Sequence, residues 1–259
     1  MSEAWIWAGA RAVGTSHLKQ GLPCQDSFAC RVWQRRARPP ILIAALSDGA
    51  GSAERAEVGS ALATSLFTDI VCEAFDDGAP WESCGETLIY AVRETKLALS
   101  LKAGHDERTA NDYAATFIAA ILSPAGGLVV QIGDGAAVID DGTGTWHPVH
   151  WPDHGEYANT TSFLTQDDAL DQLQLATFDA PVRRIALFSD GLERLVLDFK
   201  HRAAHGPFFD SIFSRLGPRI GLGHAADVSQ DLAALLASEK VNARTDDDKS
   251  LLCAALVDI

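Results

Sequence analysis

Three apolar runs in this chain end on the same two residues. "ILIAALSDGAGS" reaches Asp48-Gly49, "LVVQIGDGAAV" reaches Asp134-Gly135, and "RIALFSDGLERL" reaches Asp190-Gly191. Each run is short, rich in branched residues and bounded by turn residues, the pattern of a buried strand. A buried strand has no use for a carboxylate at its tip unless something there favours negative charge. A fourth acidic stretch, Asp246-Asp247-Asp248, precedes the last strand-like run, "KSLLCAALVDI".

In an antiparallel sheet the end of one strand and the start of its neighbour share an edge, so all four acidic positions can meet at one rim. Clustered carboxylates repel one another unless cations neutralise them. Oxygen ligands without Cys or His suit Mg²⁺ or Mn²⁺. Glycine after each aspartate allows a sharp turn and lets a carbonyl such as that of Gly49 approach an ion. The rival explanation is plain turn chemistry. It wins for any single Asp-Gly and stays serious for Gly133-Asp134-Gly135, which also suits a hairpin. Spacing alone leaves the two readings near even.

The rest of the pattern predicts α+β architecture. Strand alternation runs through "AWIWAGARAVGTSH", and a strand pair is expected across "DSFACRVW" and "PPILIAALSD". Helical spacing of Val58, Leu62, Leu66 and Ile70, then of Leu88, Val92, Thr95 and Leu99, predicts two long helices joined at "DDGAP". Residues 113–149 read as an antiparallel meander and 151–180 as a long polar surface excursion, a kind of segment that is often functional. A strand over "VRRIALFSDG", helices around "PFFDSIFSRLG" and "AADVSQDLAALLASEK", and a final strand follow. The elements do not alternate βαβα, so antiparallel sheets covered by helices fit better than a doubly wound sheet. Nothing divides the 259 residues, and one domain, 1–259, is expected.

A formal net charge of -14 disfavours nucleic-acid partners. The one basic clump, "RVWQRRARPP", reads as an exposed loop. Five cysteines without CxxC spacing point to a reducing, cytoplasmic setting. No signal peptide and no membrane partner are expected.

The ordered set "GTSHLKQGLPCQDSF", "LSDGAGSAERAEVGS", "ATFIAAIL", "VVQIGDGAAVI", "GEYANTTSFLT", "LFSDGLERL" and "DDDKSLLCAAL" resembles the metal-dependent serine/threonine protein phosphatases of type 2C, compact bacterial branch. The resemblance runs from about Gly14 to the C-terminus. It implies a four-layer α-β-β-α sandwich, with a central antiparallel β-sandwich flanked by paired helices. It implies two Mn²⁺ or Mg²⁺ ions at one end, with Asp48 bridging them and the Gly49 carbonyl on one. Asp190 and Asp247 would complete the other; the family's Asp-Asn-x-Ser/Thr aligns as Asp247-Asp248-Lys249-Ser250. Asp134 matches the aspartate that, with the one at 190, can hold a third ion in bacterial relatives. Asp26 matches an acid that hydrogen-bonds metal waters. The implied reaction is hydrolysis of phosphoserine or phosphothreonine by water activated at the ion pair. The implied partner is a phosphorylated protein, a Ser/Thr kinase or its target. The excursion 151–180 resembles the family's flap beside the active site, with "GEYANTTSFLT" shaping substrate access; in the rival reading Tyr157 and Phe163 are plain core residues.

The chain also departs from the pattern. Gln25-Asp26 stands where Glu-Asp is common, and Ala50 where many members carry His. No arginine near Gly21 matches the early phosphate contact. His17 is the candidate for that contact, with a turn or surface histidine as the equal rival. Among other functions, a dinucleotide site lacks its third glycine, where Glu54 stands. His147, His150 and His154 lack metalloprotease spacing, and no G-x-S-x-G occurs. A catalytically silent phosphoprotein-binding module and a phosphatase of small metabolites remain as alternatives.

Overall fold

Ile41–Ser47 is buried at every position, as are Phe117–Ser123 and Gly126–Ile132. A strand can be apolar without alternation only where both of its faces are covered, and the chain builds two stacked sheets that do this. The structure, a computed structural model, describes residues 3–36, 38–152, 161–217 and 222–259. Its strands are β1 (Glu3–Ala12), β2 (Ser27–Trp33), β3 (Ile41–Ser47), β4 (Phe117–Ser123), β5 (Gly126–Ile132), β6 (Ala136–Asp140), β7 (His147–Pro148), β8 (Gln174–Phe178), β9 (Arg184–Phe188), β10 (Leu197–Asp198), β11 (Ala203–Ala204), β12 (Gly223–His224) and β13 (Lys249–Asp258). Its α-helices are α1 (Thr15–Gln20), α2 (Ala56–Asp76), α3 (Cys84–His105), α4 (Asp190–Val196), α5 (Gly206–Phe213), α6 (Ala226–Leu236) and α7 (Glu239–Asn242).

One sheet has the order β12-β1-β13-β9-β6-β7 and the other β2-β3-β4-β5-β8. Pairing is antiparallel except where β12 runs parallel to β1. The period of two then sorts the core. In β3, Leu42, Ala44 and Leu46 face the other sheet, and Ile41, Ile43 and Ala45 face helices. In β13, Leu252, Ala254 and Leu256 turn inward to β3 and β4, and Leu251, Cys253 and Ala255 turn outward. Three cores result: helices on sheet, sheet on sheet, and sheet on helices.

The long pair α2 and α3 covers the five-stranded sheet, with Ala63, Phe67, Val71 and Phe75 of α2 spaced four apart on the buried face. By length and composition alone α2 could cross a bilayer, but that face is packed onto the sheet. The second side differs from the expected helix pair: α4, α5 and α6, all shorter, cover the six-stranded sheet through Leu192, Phe209, Phe213, Leu232 and Leu236.

Four sequence expectations are corrected. β1 stops at Ala12, and Thr15–Gln20 is a short helix rather than the end of a strand. The meander breaks between β5 and β6, which lie in different sheets, so Gly133-Asp134-Gly135 is a crossing and not a hairpin. The supposed excursion 151–180 ends in β8, paired with β5. The clump 31–40 is loop only after Trp33, because Arg31 and Val32 complete β2. Residues 153–160, with His154 and Tyr157, lie outside the described residues.

A Cβ on Gly59, in the first turn of α2, would lie 2.2 Å from the Tyr113 carbonyl oxygen. Alanine normally gains about 1 kcal/mol over glycine within a helix. Here that gain is smaller than the cost of pushing helix and backbone apart. Gly59→Ala is expected to lose about 1–3 kcal/mol in urea unfolding. Gly104→Ala in α3, with open space around it, should be neutral or gain up to about 1 kcal/mol.

Candidate metal centre

Asp48 follows the last residue of β3, and its backbone is clamped in both directions by Thr116. The Asp48 N–H donates to Thr116 Oγ1 at 3.0 Å, and the Thr116 N–H donates to the Asp48 carbonyl at 2.8 Å. Gly49 bridges to Ala115, and its N–H donates to the Gln25 carbonyl. Asp26 lies just before β2 and is fully buried. Ser189 Oγ donates to Asp26 Oδ2 at 2.6 Å and accepts from the Ser250 N–H at 3.0 Å. That one hydroxyl ties the starts of β2 and β13 to the end of β9.

Asp190 opens α4, whose first turn runs against the start of β13. A Cβ on Gly191 would lie 2.0 Å from the Asp248 carbonyl oxygen, so only glycine permits this approach. Asp247 stands on the same rim, its Oδ1 accepting from the Asp248 N–H at 2.8 Å. Asp134 sits at the β5–β6 crossing, where Thr161 Oγ1 donates to its Oδ2 at 2.5 Å.

Five distant segments thus bring Asp26, Asp48, Asp134, Asp190 and Asp247 to one end of the sandwich. Asp48 lies against the carboxylates of both Asp26 and Asp190, and Asp134 and Asp247 act on Asp190 electrostatically. Burial pushes Asp26 up to about 7 and Asp190 up to about 6. Asp48 also rises, through burial first and then the negative charges of Asp26 and Asp190. Glu193, one turn into α4, is pushed up to about 8 by burial and by Asp190 and Asp134.

Among the described residues no three acids or histidines already form a closed ligand set; the carboxylates meet in pairs through Asp48. The donor chemistry nevertheless suits a hard divalent ion. Asp26 Oδ1 and Asp190 Oδ1 are buried oxygens with no hydrogen-bond partner, and both belong to carboxylates facing Asp48. Acceptors facing acceptors, with oxygen donors only, fit Mg²⁺ or Mn²⁺.

The structure gives His17 a different setting from either sequence reading. It is buried, so it is no surface histidine, and its Nδ1 lies 3.0 Å from Asp248 Oδ2. Its Nδ1 is engaged with the start of β13. Phe163 packs partly buried beside Ala50, Ala53, Ala56 and Ala114. Sequence reasoning passed over Thr116, Ser189 and Thr161, whose hydroxyls hold the acids. Ser189 could have been noticed as the residue preceding Asp190 at a buried strand end.

A family model described as protein phosphatase 2C matches residues 13–237. Asp247 lies beyond that stretch. Serine/threonine-protein phosphatase 3 of Escherichia coli (strain K12) is 36% identical over 262 residues, covering 97% of this chain and 98% of the relative. The catalytic domain of the serine/threonine protein phosphatase PstP, solved with two manganese ions, superposes with a TM-score of 0.63 at 20% identity, covering 99% of this chain and 100% of that one. Stp1 from Staphylococcus aureus superposes at 0.60 with 16% identity, covering 96% and 94%. The chain belongs to the protein phosphatase 2C family. It is accordingly a metal-dependent phosphoprotein phosphatase.

The raised carboxyls set the pH response of the metal-free protein. A folded pKa above the unfolded value means that the folded state keeps protons which the unfolded state has lost. Stability therefore falls as pH rises from about 4 through about 7. In chelator, the thermal midpoint should be higher at pH 5 than at pH 8. At pH 8, manganese at about a hundred times its Kd should restore roughly 2.7 kcal/mol. Asp48→Asn should abolish that manganese effect and leave the metal-free protein at pH 8 at least as stable as wild type.

Proposed function

We propose that this end of the sandwich hydrolyses phosphoserine and phosphothreonine in proteins. In this reading Asp48, the Gly49 carbonyl, Asp190 and Asp247 hold a pair of Mn²⁺ or Mg²⁺ ions, and Asp134 with Asp190 can take a third. The observation that carries it is the pair of buried, unpartnered oxygens on Asp26 and Asp190, both on carboxylates turned toward Asp48. When bound, the ion pair supplies charge neutralisation for the phosphoryl oxygens and a water acidified toward neutral pH.

The remaining tasks fall to the chain. Asp48, whose carboxylate touches both neighbours, would be the central ligand of the ion pair. Thr116 fixes its backbone on both sides. Asp26, held by Ser189 through Oδ2, keeps Oδ1 aimed at the centre and orients water there. His17 positions Asp247 through Asp248. A binding-only module would have no reason to maintain such repulsion, which favours an enzyme.

The chain acts as one phosphatase domain, 1–259, with the segment 151–180 bordering the site. Its partner is a phosphorylated protein, with a Ser/Thr kinase or that kinase's target as the physiological pair. All five cysteines are free, three of them buried, which suits a reducing cytoplasm.

A phosphothreonine peptide should lose phosphate in manganese and not in chelator. Asp48→Asn and Asp190→Asn should each lower kcat/KM by about a thousandfold or more, equivalent to ~4 kcal/mol. Asp26→Asn, which removes an orienting group and no ligand, should cost only about 10–100-fold. Full manganese-dependent turnover in Asp48→Asn would refute the assignment. Turnover confined to small phosphate esters would favour a metabolite phosphatase.

A further inference from the structure

The cleft beside Asp190 is larger than an ion pair and one phosphoryl group require. Its volume is ≈ 740 Å³, in the range of pockets that take drug-sized ligands. Besides Asp134, Asp190 and Asp247, its lining includes Phe199 and just two cationic side chains, Arg194 and Arg244. Both arginines are exposed. Neither forms a hydrogen bond or ion pair among the described residues, although Arg194 acts on Glu193 electrostatically.

Arg108 pairs with Glu54, Arg183 with Glu3, and Arg184 with Asp140. Arg194 and Arg244 line a cleft with Asp134, Asp190, Glu193, Asp246 and Asp247, yet pair with none of the described residues.

Their spacing from the candidate ligands is also informative. Arg194 follows Asp190 by four residues in α4, one turn and about 6 Å along the axis. Arg244 precedes Asp247 by three residues. Each arginine thus stands within about one turn of chain from a candidate ligand, and both line the cleft that holds them. An extended peptide advances about 3.3–3.6 Å per residue, so a side chain two positions from the scissile phosphoresidue reaches such a distance. Phe199, exposed and packed edge-on to Trp151 at 5.4 Å, gives the same cleft an apolar wall for peptide.

We propose that Arg194 and Arg244 bind a carboxylate of the substrate peptide about two residues from the phosphoresidue, making acid-flanked phosphopeptides the preferred substrate class. Arginine presents a planar fork of donors that matches a carboxylate, and charge-assisted pairs of this kind are strong. The proposal rests on the phosphatase reading above and specifies its substrate. Arg194 and Arg244 are specificity-determining in this assignment; the acids carry the chemistry.

The test compares two phosphothreonine peptides, one with Asp two residues away on both sides and one with Ala there, in manganese. Wild type should prefer the acidic peptide by about tenfold or more in kcat/KM, mainly through KM. The double variant Arg194→Gln/Arg244→Gln should reduce that ratio to about one. Arg93→Gln, an exposed arginine on α3 that changes the net charge equally, should keep the ratio. The manganese-induced rise in thermal midpoint checks that the double variant still folds and binds metal. No preference in wild type would overturn the proposal. An equal loss on both peptides would also overturn it, by assigning the arginines to the scissile phosphate. Failure of wild type to release phosphate from either peptide is a different result, and would refute the phosphatase reading itself.

Discussion

Carboxylates crowded at one end of a close-packed sandwich are the constraint on which the rest of this structure depends. Mutual repulsion and lost hydration both oppose the arrangement, and free side chains would swing toward water. The backbone beneath them prevents this. Thr116 clamps Asp48, Ser189 joins Asp26 to β13, and the glycine at 191 lets α4 abut the β13 start. These anchors are rigid because the strands that carry them are buried on both faces, with interdigitated cores on either side. A site that tolerates repulsion until a cation arrives needs a scaffold that cannot relax.

Much of this was legible in the sequence, for identifiable reasons. Apolar runs without alternation announced strands covered on both sides. Asp-Gly at three of their ends marked one rim, since strand direction in an antiparallel sheet determines which tips share an edge. The long helices followed from three- and four-residue spacing sustained over several turns, through Val58 to Ile70 and Leu88 to Leu99. The β5–β6 crossing was not legible, because Gly-Asp-Gly serves a hairpin and a change of sheet equally well. Nothing local to residues 133–135 records which sheet β6 joins. In the second helical layer α5 and α6 fall on the expected stretches, while the short α4 escaped notice, because short helices owe their shape to tertiary packing more than to periodicity.

The arginines of the cleft show a different limit. In sequence, Arg194 and Arg244 look like any charged residue on a helix or loop, where exposed arginine supports solubility. Their distinction is entirely spatial: each is bracketed by acids yet pairs with none. A protein with net charge -14 repels anionic partners at long range. Recognition of a phosphorylated protein then depends on positive charge concentrated where the substrate lands. On the proposals made above, divalent ions and two guanidinium groups would concentrate it in one cleft.

The same logic explains the chain's departure at position 248, where the family motif has Asn and this protein has Asp. Asp248 is buried, and its oxygens meet donors only. Oδ1 accepts from the Gly14 N–H at 2.6 Å, and Oδ2 accepts from the Gln25 N–H at 2.5 Å with His17 Nδ1 at 3.0 Å. An asparagine amide in this place would turn an NH₂ group toward a backbone donor. Lys249, fully buried, supplies positive charge nearby and donates from Nζ to the Asp247 carbonyl at 3.0 Å and to Asn242 Oδ1 at 2.9 Å. Asp248, His17 and Lys249 therefore form one compensated unit. It anchors the short stretch carrying Asp247 to the segments at 14, 17, 25 and 242, so the extra acid that looks like a defect in the motif is what holds the neighbouring acid in place.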